Sequence, residues 1–424
     1  MRRMTHPARD AAATAMDRYL GSRALRGVAV VVFAWLVFVL VTAFPSTDPW
    51  ATYRIDFDVY RMGGEAFLGG EDLYGQLFRT RSGAELFFTY PPIGAILFSL
   101  FSFVSFGAGA AILTGLSIAS LVLSLWLVIR ALGADGRDAF WLAVLAGILA
   151  VWTIPVRETV EHGQINLILM ALVLGDVLGR RQRWWRGSLV GLALSIKLTP
   201  AVFLAYFLIR RDWRALAMGI GSALFYTGLG FLLAPDDSWR YWTSALISPE
   251  RIGANAFATN QSLSGAIHRL GFDGAETVLW FVVCAIVGLA CLALLRRLFN
   301  EGDAVMAAMV MGHYALLASP VSWGHHWVWS APAVVVVLVW AWRCLPHWTG
   351  WALAGFAVAG AAVYLLAPHL WFPRPPQQNP NWSWWQQLVG SAYLWWAFGL
   401  LLVAWFAAPR AAAGGRSAPS ETRG

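Results

Sequence analysis

The segment Ala193-Leu-Ser-Ile-Lys197-Leu-Thr-Pro200-Ala-Val-Phe-Leu204 places one lysine inside an apolar run. Lys197 is the only lysine among 31 basic residues, and all the others are arginines. A cation inside a membrane is costly unless it faces a cavity or an anion. Either Lys197 is a structural lysine that pairs or reaches the interface, or it is a fixed positive charge for an anionic group.

The composition predicts an all-α polytopic membrane protein. Hydrophobic residues make up 58% of the 424 residues and charged residues only 13%, with repeated apolar runs long enough to span a bilayer. The net charge of +8 lies in short arginine clusters between these runs, which is typical of cytoplasmic loops and not of a nucleic-acid surface. Cys284, Cys291 and Cys344 lack metal-ligand spacing, so we expect buried thiols and neither a disulfide nor a zinc site.

Arginine positions set the expected orientation in the membrane. Residues 1–26 are predicted to be a cytoplasmic N-terminal segment, followed by a retained first helix and a single transmembrane domain over 27–408. Residues 409–424 are predicted to be a disordered cytoplasmic tail. Outer loops are expected at about 45–107, 155–163, 234–275 and 368–389.

Ten full crossings fit the apolar runs, and two further crossings remain possible. They are expected at 27–44, 108–130, 139–154, 164–179, 214–233, 276–294, 303–320, 327–342, 348–367 and 390–408. Residues 91–106 are short for a span and are predicted to dip into the membrane and return. Arginines flank 187–209 at both ends, so this run is predicted to be a V of two half-helices broken near Lys197–Pro200.

Two carboxylates open the first outer loop. Asp56 and Asp58 flank Phe57, just before a predicted surface helix from Val59 to Leu68. An aspartate at position 56 would be a natural helix N-cap, which is a structural alternative to a catalytic role. Asp58 would lie in the first turn, where the positive helix end favours the ionised form. An ionised carboxylate beside a cavity can take a proton from an alcohol, so one of the two is expected to be catalytic.

Further polar residues fall at the same predicted membrane face. Hydrogen-bonding amides are expensive at a membrane helix unless they are partnered, so these residues contact either substrate or neighbouring helices. The candidates in the later loops are Glu158, His162, Gln164, Asn166, Arg251, Asn260 and Gln261.

An adjacent histidine pair, His325 and His326, follows Trp323 at this face. Neighbouring residues on a helix diverge by about 100°, so the pair is a poor chelate by itself. Hydrogen bonding to a phosphate or a hydroxyl suits it better, and no metal site is predicted. Trp323 could stack on a sugar ring.

Taken in order, these motifs resemble glycosyltransferase family 87, which has the GT-C fold. The likeness covers about residues 27–345 and rests on Asp56-Phe57-Asp58-Val59-Tyr60, Gly70 with Leu73-Tyr74, Tyr90-Pro91-Pro92, Gly163-Gln164-Ile165-Asn166, Lys197-Leu198-Thr199-Pro200, Asn260-Gln261-Ser262 and Ser319-Pro320 with His325-His326.

The resemblance implies an inverting mannosyltransferase that uses polyprenyl-phosphate mannose. The acceptor would be a glycolipid, a phosphatidylinositol mannoside extended in α-1,2 linkage on the extracytoplasmic side of the plasma membrane. The family pattern Asp-x-x-Val-Tyr places the base at Asp56, whereas the N-cap consideration favours Asp58, to which we give a narrow preference. Tyr60 would lie with the substrate-binding residues.

In the expected mechanism the leaving group is already a phosphate monoester, so it needs a cation and not a proton. Lys197, with Arg251, His325 or His326, is expected to hold that phosphate, and no cofactor or metal is required.

Two other classes remain open. A transporter or flippase for a lipid-linked sugar would place polar residues near the membrane midplane and would contain internal repeats, neither of which the sequence shows. A transferase for arabinose or another lipid-linked sugar would share the same motifs. The sequence leaves open the acceptor, the linkage, metal dependence and the oligomeric state.

Overall fold

The computed structural model describes residues 7–42, 53–179, 183–248, 251, 253–272, 274–375 and 378–415. In these ranges the chain is almost entirely helical, which confirms the predicted all-α class. The strands found there are a short antiparallel pair, β1 (Phe78–Arg79) and β2 (Glu85–Leu86).

Nineteen α-helices and five 3-10 segments follow one another along the described chain. The helices are α1 (Pro7–Gly21), α2 (Arg23–Thr42), α3 (Ile55–Gly69), α4 (Pro92–Phe98), α5 (Phe106–Ala131), α6 (Gly136–Ala150), α7 (Ile154–His162), α8 (Asn166–Val177), α9 (Ser188–Ile196), α10 (Val202–Ile209), α11 (Trp213–Leu233), α12 (Pro235–Thr243), α13 (Leu263–Leu270), α14 (Glu276–Asn300), α15 (Ala304–Ala318), α16 (Ser330–Cys344), α17 (Trp348–Leu366), α18 (Trp384–Gly390) and α19 (Ala392–Gly415). The 3-10 segments are Ser99–Phe103, Thr199–Ala201, Ala245–Ile247, Gly324–Trp329 and Pro368–Leu370.

Each predicted crossing corresponds to a helix. Six are long and apolar enough to span a membrane: α2, α5, α11, α14, α17, and α16 with the 3-10 segment before it. Two more spans arise if the bent pairs are counted, α6 with α7 at 80° and α18 with α19 at 60°. The crossings predicted at 164–179 and 303–320 correspond to the shorter apolar helices α8 and α15, of 12 and 15 residues, so the described residues hold six to eight helices of spanning length. All three cysteines are buried, as expected.

The predicted V around Lys197 is present. Arg186 lies just before α9 and Asp212 just after α10, and their side chains form an ion pair with Nε–Oδ2 of 3.0 Å. Arg186 also donates to the carbonyl of Val177, at the end of α8. The chain therefore runs out along α9, turns at Lys197 and returns along α10 to the level at which it started. We call the end of the molecule around Arg186 the arginine end, and the opposite end, around Lys197, the site end.

The short segment from α4 through Ser99–Phe103 forms one continuous helical run that lies along α3. Both parts pack on α3: Phe98 stacks on Tyr60 with ring centroids 4.3 Å apart, and Phe101 meets Phe57 edge-on at 5.1 Å. A Cβ on Gly64 would lie 2.6 Å from Ser99 Cα, so only glycine allows α3 this close. The segment therefore packs side by side with α3, and the dip into the membrane expected for residues 91–106 stays a prediction.

One prediction at a helix start was wrong. The surface helix expected from Val59 begins earlier, at Ile55, and its N-cap is Arg54, so Asp56 is not an N-cap. At the other end of the chain α19 runs as far as Gly415, and the disordered cytoplasmic tail expected over 409–424 stays a prediction. Residues 416–424, and 45–52 of the first outer loop, lie outside the described residues.

Candidate active site

The turn of the V holds Lys197 away from regular helix. Lys197 is the C-cap of α9 with extended backbone (φ −148°, ψ 130°), because the following Thr-Pro cannot continue the helix. Its Nζ donates to Asn166 Oδ1 at 3.0 Å and lies 3.2 Å from His326 Nε2. The ring of Tyr90 lies 5.5 Å from the same ammonium group. The structure thus brings together three of the predicted site residues.

The hydrogen bonds of His326 make this group a site for an anion. The backbone N–H of Trp323 donates to His326 Nδ1 at 3.1 Å, so in the neutral ring the proton is on Nε2. Nε2–H then faces the Lys197 ammonium, and two donors converge without an acceptor between them. A bound phosphate oxygen would satisfy both, and charge-assisted bonds of this kind are the strong ones. We call Lys197, His326 and Asn166 the cradle.

The loop that carries the histidine pair is fixed through its backbone. Thr159 Oγ1 and Asn166 Nδ2 both donate to the carbonyl of His325, at 2.7 and 3.0 Å. The His325 ring lies between His162 and His326, with centroid distances of 5.0 and 4.6 Å. His325 is therefore buried beside the cradle and not part of it.

Asp56 lies on the same side as the cradle and is held by Gln164. Gln164 Nε2 donates to Asp56 Oδ2 at 2.7 Å. The other end of the amide, Oε1, lies 2.8 Å from the Tyr60 hydroxyl and 3.1 Å from that of Tyr90, and the two hydroxyls are 2.6 Å apart. This network fixes the amide with its nitrogen toward the carboxylate, so Gln164 and Tyr60 position Asp56.

Gly163 explains why α7 can bring these groups against α3. Its φ of +72° is the left-handed helix ending that favours glycine. A Cβ there would lie 2.6 Å from Phe57 Cβ and 2.9 Å from Arg54 Cβ. The close approach places the two flanking residues, His162 and Gln164, beside Asp56.

The surroundings of Asp56 suit a general base. Burial raises the pKa of this carboxyl above its ordinary value. The charges of His162 and Lys197 and the hydrogen bond from Gln164 oppose that rise. A carboxylate with a raised pKa takes a proton from a hydroxyl more readily than an ordinary one.

Asp58 faces a different set of partners. Its Oδ2 accepts hydrogen bonds from the Tyr53 hydroxyl at 2.7 Å and from the Arg81 N–H at 2.8 Å. Its Oδ1 lies 3.6 Å from Arg81 Nε, and the residue is only 2% exposed. These contacts tie α3 to the β1–β2 hairpin, so Asp58 has a structural role in this arrangement.

Arg251 is also engaged away from the cradle. Its guanidinium donates to the carbonyls of Tyr74 and Phe88, at 2.7 and 3.3 Å, and lies over the Phe87 ring at 4.2 Å. It thereby links the loop before α4 to the segment after α12.

The predicted amides Asn260 and Gln261 support the loop before the histidines. Asn260 Nδ2 donates to the Pro320 carbonyl, and its Oδ1 accepts from the Ser322 N–H. The backbone N–H of Gln261 donates to the Ser322 carbonyl at 2.8 Å. Trp323, which follows directly, is half-buried and meets Phe257 edge-on at 5.8 Å.

A cavity of about 50 Å³ continues from the cradle into the protein. Asn166, Lys197 and His326 line one part of it, and apolar side chains that include Val173 and Phe203 line the rest. An anionic group joined to an apolar chain fits this combination.

The described residues contain no group of three or more His, Cys, Asp or Glu side chains arranged to hold a metal ion. Sequence reasoning missed two contributors, Thr159 and the hydroxyl of Tyr90. Nothing in the sequence around Thr159 indicates a role in the site. Tyr90 belongs to the motif Tyr90-Pro91-Pro92, whose prolines predicted only the start of a helix.

The fold and the site together define a polytopic membrane enzyme with an anion cradle beside a carboxylate. A family model for Glycosyltransferase family 87 matches residues 88–320, more than half of the chain. The chain belongs to glycosyltransferase family 87, and it is a glycosyltransferase.

Curated relatives agree with this assignment. The chain is 39% identical over 394 residues to the polyprenol-phosphate-mannose-dependent alpha-(1-2)-phosphatidylinositol mannoside mannosyltransferase of Mycobacterium tuberculosis, covering 90% of this chain and 88% of that protein. It is 38% identical to the protein of the same name from Mycolicibacterium smegmatis, covering 87% and 89%. An alpha-(1->3)-arabinofuranosyltransferase of Corynebacterium glutamicum is 24% identical, covering 91% and 87%.

Proposed function

We propose that this protein transfers mannose from polyprenyl-phosphate mannose to a phosphatidylinositol mannoside, forming an α-1,2 linkage with inversion. The observation that carries the proposal is the convergence of the Lys197 ammonium and the His326 ring, with Nζ and Nε2 3.2 Å apart, beside the carboxylate of Asp56. The names of the two relatives that are 38–39% identical supply the donor and acceptor.

The cradle would hold the donor phosphate, with the apolar part of the adjoining cavity turned toward the polyprenyl chain. As the sugar's C1–O bond to the phosphate breaks, negative charge grows on the phosphate, and the Lys197 ammonium and the His326 N–H stabilise it. No acid is needed at the leaving group. The acceptor hydroxyl attacks C1 from the opposite face and loses its proton to a carboxylate.

Asp56 is the base in this proposal, in place of the Asp58 that we narrowly preferred from the sequence. Asp56 has one hydrogen bond from Gln164 and lies within electrostatic reach of Lys197. Asp58, in contrast, accepts two hydrogen bonds and an ion pair from residues of the first loop.

The site end of the molecule would face the extracytoplasmic side of the plasma membrane. Arg183, Arg186, Arg210, Arg211 and Arg214 flank the two half-helices at the arginine end, and arginine-rich loops favour the cytoplasm. Both termini would then be cytoplasmic, as the arginines near them suggest.

The test is mannosyl transfer by the purified protein in detergent, with a panel of lipid-phosphate donors and a phosphatidylinositol mannoside acceptor. Asp56→Asn is expected to abolish transfer and to keep donor binding, whereas the matched variant Asp58→Asn retains turnover. Transfer is expected to survive EDTA, because the phosphate is held by side chains. Inactivity of Asp58→Asn with an active Asp56→Asn would reverse the assignment of the base.

The donor panel includes a polyprenyl-phosphate arabinose because an arabinofuranosyltransferase matches 91% of this chain. Exclusive use of that donor would overturn the mannose assignment and leave the cradle unchanged. Binding of the donors without transfer to any acceptor would favour a transporter.

A further inference from the structure

A group of buried polar side chains lies behind the histidine loop, on the side away from Lys197. It consists of Trp327, Tyr364 of α17, His369 of the 3-10 segment Pro368–Leu370, and Tyr393 of α19, and we call it the rear cluster. The Tyr393 ring lies 4.6 Å from Tyr364, 4.9 Å from His369 and 5.7 Å from Trp327, measured between centroids. None of the four residues is more than 1% exposed.

The rear cluster is polar but has few partners of its own. Within the described parts of the chain, the Trp327 Nε1, the hydroxyls of Tyr364 and Tyr393, and both ring nitrogens of His369 find no hydrogen-bonding group. The same holds for Nε2 of the neighbouring His325. Leaving one such buried atom unsatisfied costs a sizeable part of a protein's net stability, and six together are not sustainable in a dry interior. Ordered water is the usual partner of such groups.

Gly324 connects this cluster to Glu158. A Cβ on Gly324 would lie 2.7 Å from Glu158 Oε2 and 3.5 Å from His369 Nε2, so both atoms pack against Gly324. The Glu158 carboxylate is also close enough to the Tyr393 hydroxyl to act on it electrostatically. Glu158 retains some exposure, whereas the rear cluster has almost none. Glu158 thus lies at the partly exposed edge of the cluster, where water held by His369 and Tyr393 can take a proton from its carboxylate and pass it to the surface.

His162 connects Glu158 to Asp56. It lies one turn after Glu158 on α7, and its Nδ1 lies 2.8 Å from the Glu158 carbonyl, so Nδ1 carries the donated proton. The other nitrogen, Nε2, therefore has its lone pair free to accept a proton. His162 interacts electrostatically with the carboxylates of both Asp56 and Glu158.

We propose that the rear cluster holds ordered water molecules which, with His162 and Glu158, carry the proton removed by Asp56 away to the surface. The inference rests on the proposed function, in which Asp56 is the base. The sugar's C1 forms a bond to the acceptor oxygen while its bond to the phosphate breaks, and that electron pair stays on the phosphate. The hydroxyl proton goes to Asp56, then to His162 Nε2, and then to Glu158 and its water, which restores the Asp56 carboxylate.

Tyr393→Phe gives the sharpest test, because it removes one hydroxyl and keeps the ring. In a dry cluster, deletion of an unpaired hydroxyl raises or preserves the melting temperature and leaves kcat unchanged. In a hydrated relay it lowers kcat by about tenfold, less than loss of the base itself. KM for both substrates stays the same, and the solvent deuterium isotope effect on kcat increases. His369→Phe is expected to act in the same way.

Tyr206→Phe is the matched control. Its hydroxyl is equally buried but donates to the Ala304 carbonyl at the arginine end of the molecule. The variant is expected to lower the melting temperature without changing kcat or the isotope effect. A high-resolution map of the wild-type protein should show water density within hydrogen-bonding distance of His369 and Tyr393.

Wild-type kcat and isotope effect in both Tyr393→Phe and His369→Phe, or a map without water at these atoms, would overturn the proposal. Such a result leaves the proposed function intact as long as Asp56→Asn remains inactive. If Asp56→Asn is active, the proposed function itself fails, and the relay fails with it.

Discussion

Replacing Lys197 by methionine shows whether this cation contributes to activity, to stability or to both. Methionine keeps the length and volume of the side chain and removes the charge that faces His326 and Asn166. If Lys197 holds the donor phosphate, the variant loses at least one hydrogen bond to a charged group, worth about 1.5–3 kcal/mol. At about 1.36 kcal/mol per tenfold, kcat/KM for the donor falls by about 10- to 150-fold.

The stability of the same variant should hardly change. Asn166 Oδ1 loses the donor that lies 3.0 Å away, which destabilises the protein. Removal of a half-buried charge offsets that loss, because desolvating a cation costs several kcal/mol in real proteins. The expected outcome is a large loss of kcat/KM with a melting temperature close to that of the wild type.

The assay is steady-state mannosyl transfer at varied donor concentration, paired with thermal unfolding in the same detergent. Arg297→Met on α14 is the control, because it also removes a cation, but one that is paired with Glu301 and lies outside the cradle. A folded Lys197→Met protein with kcat/KM within threefold of the wild type would refute the anion cradle. A loss of activity that only matched a loss of folded protein would make Lys197 a structural residue.

The remaining predictions concern the base, the turn beside it and a structural arginine. Because burial raises the pKa of Asp56, the acid limb of the kcat/KM profile should lie above the ordinary carboxyl pKa of 3.8, with activity lost as the pH falls and the base is protonated. Gly163→Ala should reduce kcat by more than tenfold and lower the melting temperature, because the left-handed backbone alone costs about 1–2 kcal/mol and the new Cβ meets Phe57. Gly70→Ala, at the left-handed C-cap of α3 with φ +68° and no atom within 4 Å of the new Cβ, is the control for backbone strain alone, and it should keep kcat. Arg251→Met should lower the melting temperature by a few degrees and leave the donor KM within about twofold. The reason is that Arg251 donates to two backbone carbonyls and not to the cradle. A tenfold rise in the donor KM would contradict this role.

The sequence predicted the path of the chain better than the identity of the contacts. Arginine clusters and apolar lengths were sufficient for the V around Lys197, because charge placement and span length constrain the backbone directly. The first turn of α3 was placed wrongly. An aspartate near a helix start suggests an N-cap, but Arg54 takes that position and leaves Asp56 inside the helix.

The division of roles between Asp56 and Asp58 could not be read from spacing. Two residues apart on a helix, the side chains point in directions about 200° apart, so only one of them can face the cradle. The tertiary partners decide which, and those partners are Gln164 on one side and Arg81 with Tyr53 on the other. Neither set is marked in the sequence, since Arg81 lies 23 residues and Gln164 108 residues from its carboxylate.

A broken helix is what makes an intramembrane lysine usable here. In a continuous helix, backbone hydrogen bonds would run along the helix axis through position 197. The lysine side chain would then lie along the surface of its own helix. The extended backbone at Lys197 ends α9 and turns the chain through Pro200 into α10, so the side chain extends from the tip of the V toward Asn166 and His326. Both arms of the V meet again at the Arg186–Asp212 pair, which fixes the position of the tip. Breaking that pair, although it lies at the opposite end of the molecule, should therefore displace Lys197 and weaken donor binding, whereas the hydrogen bond between Gln164 and Asp56 should persist.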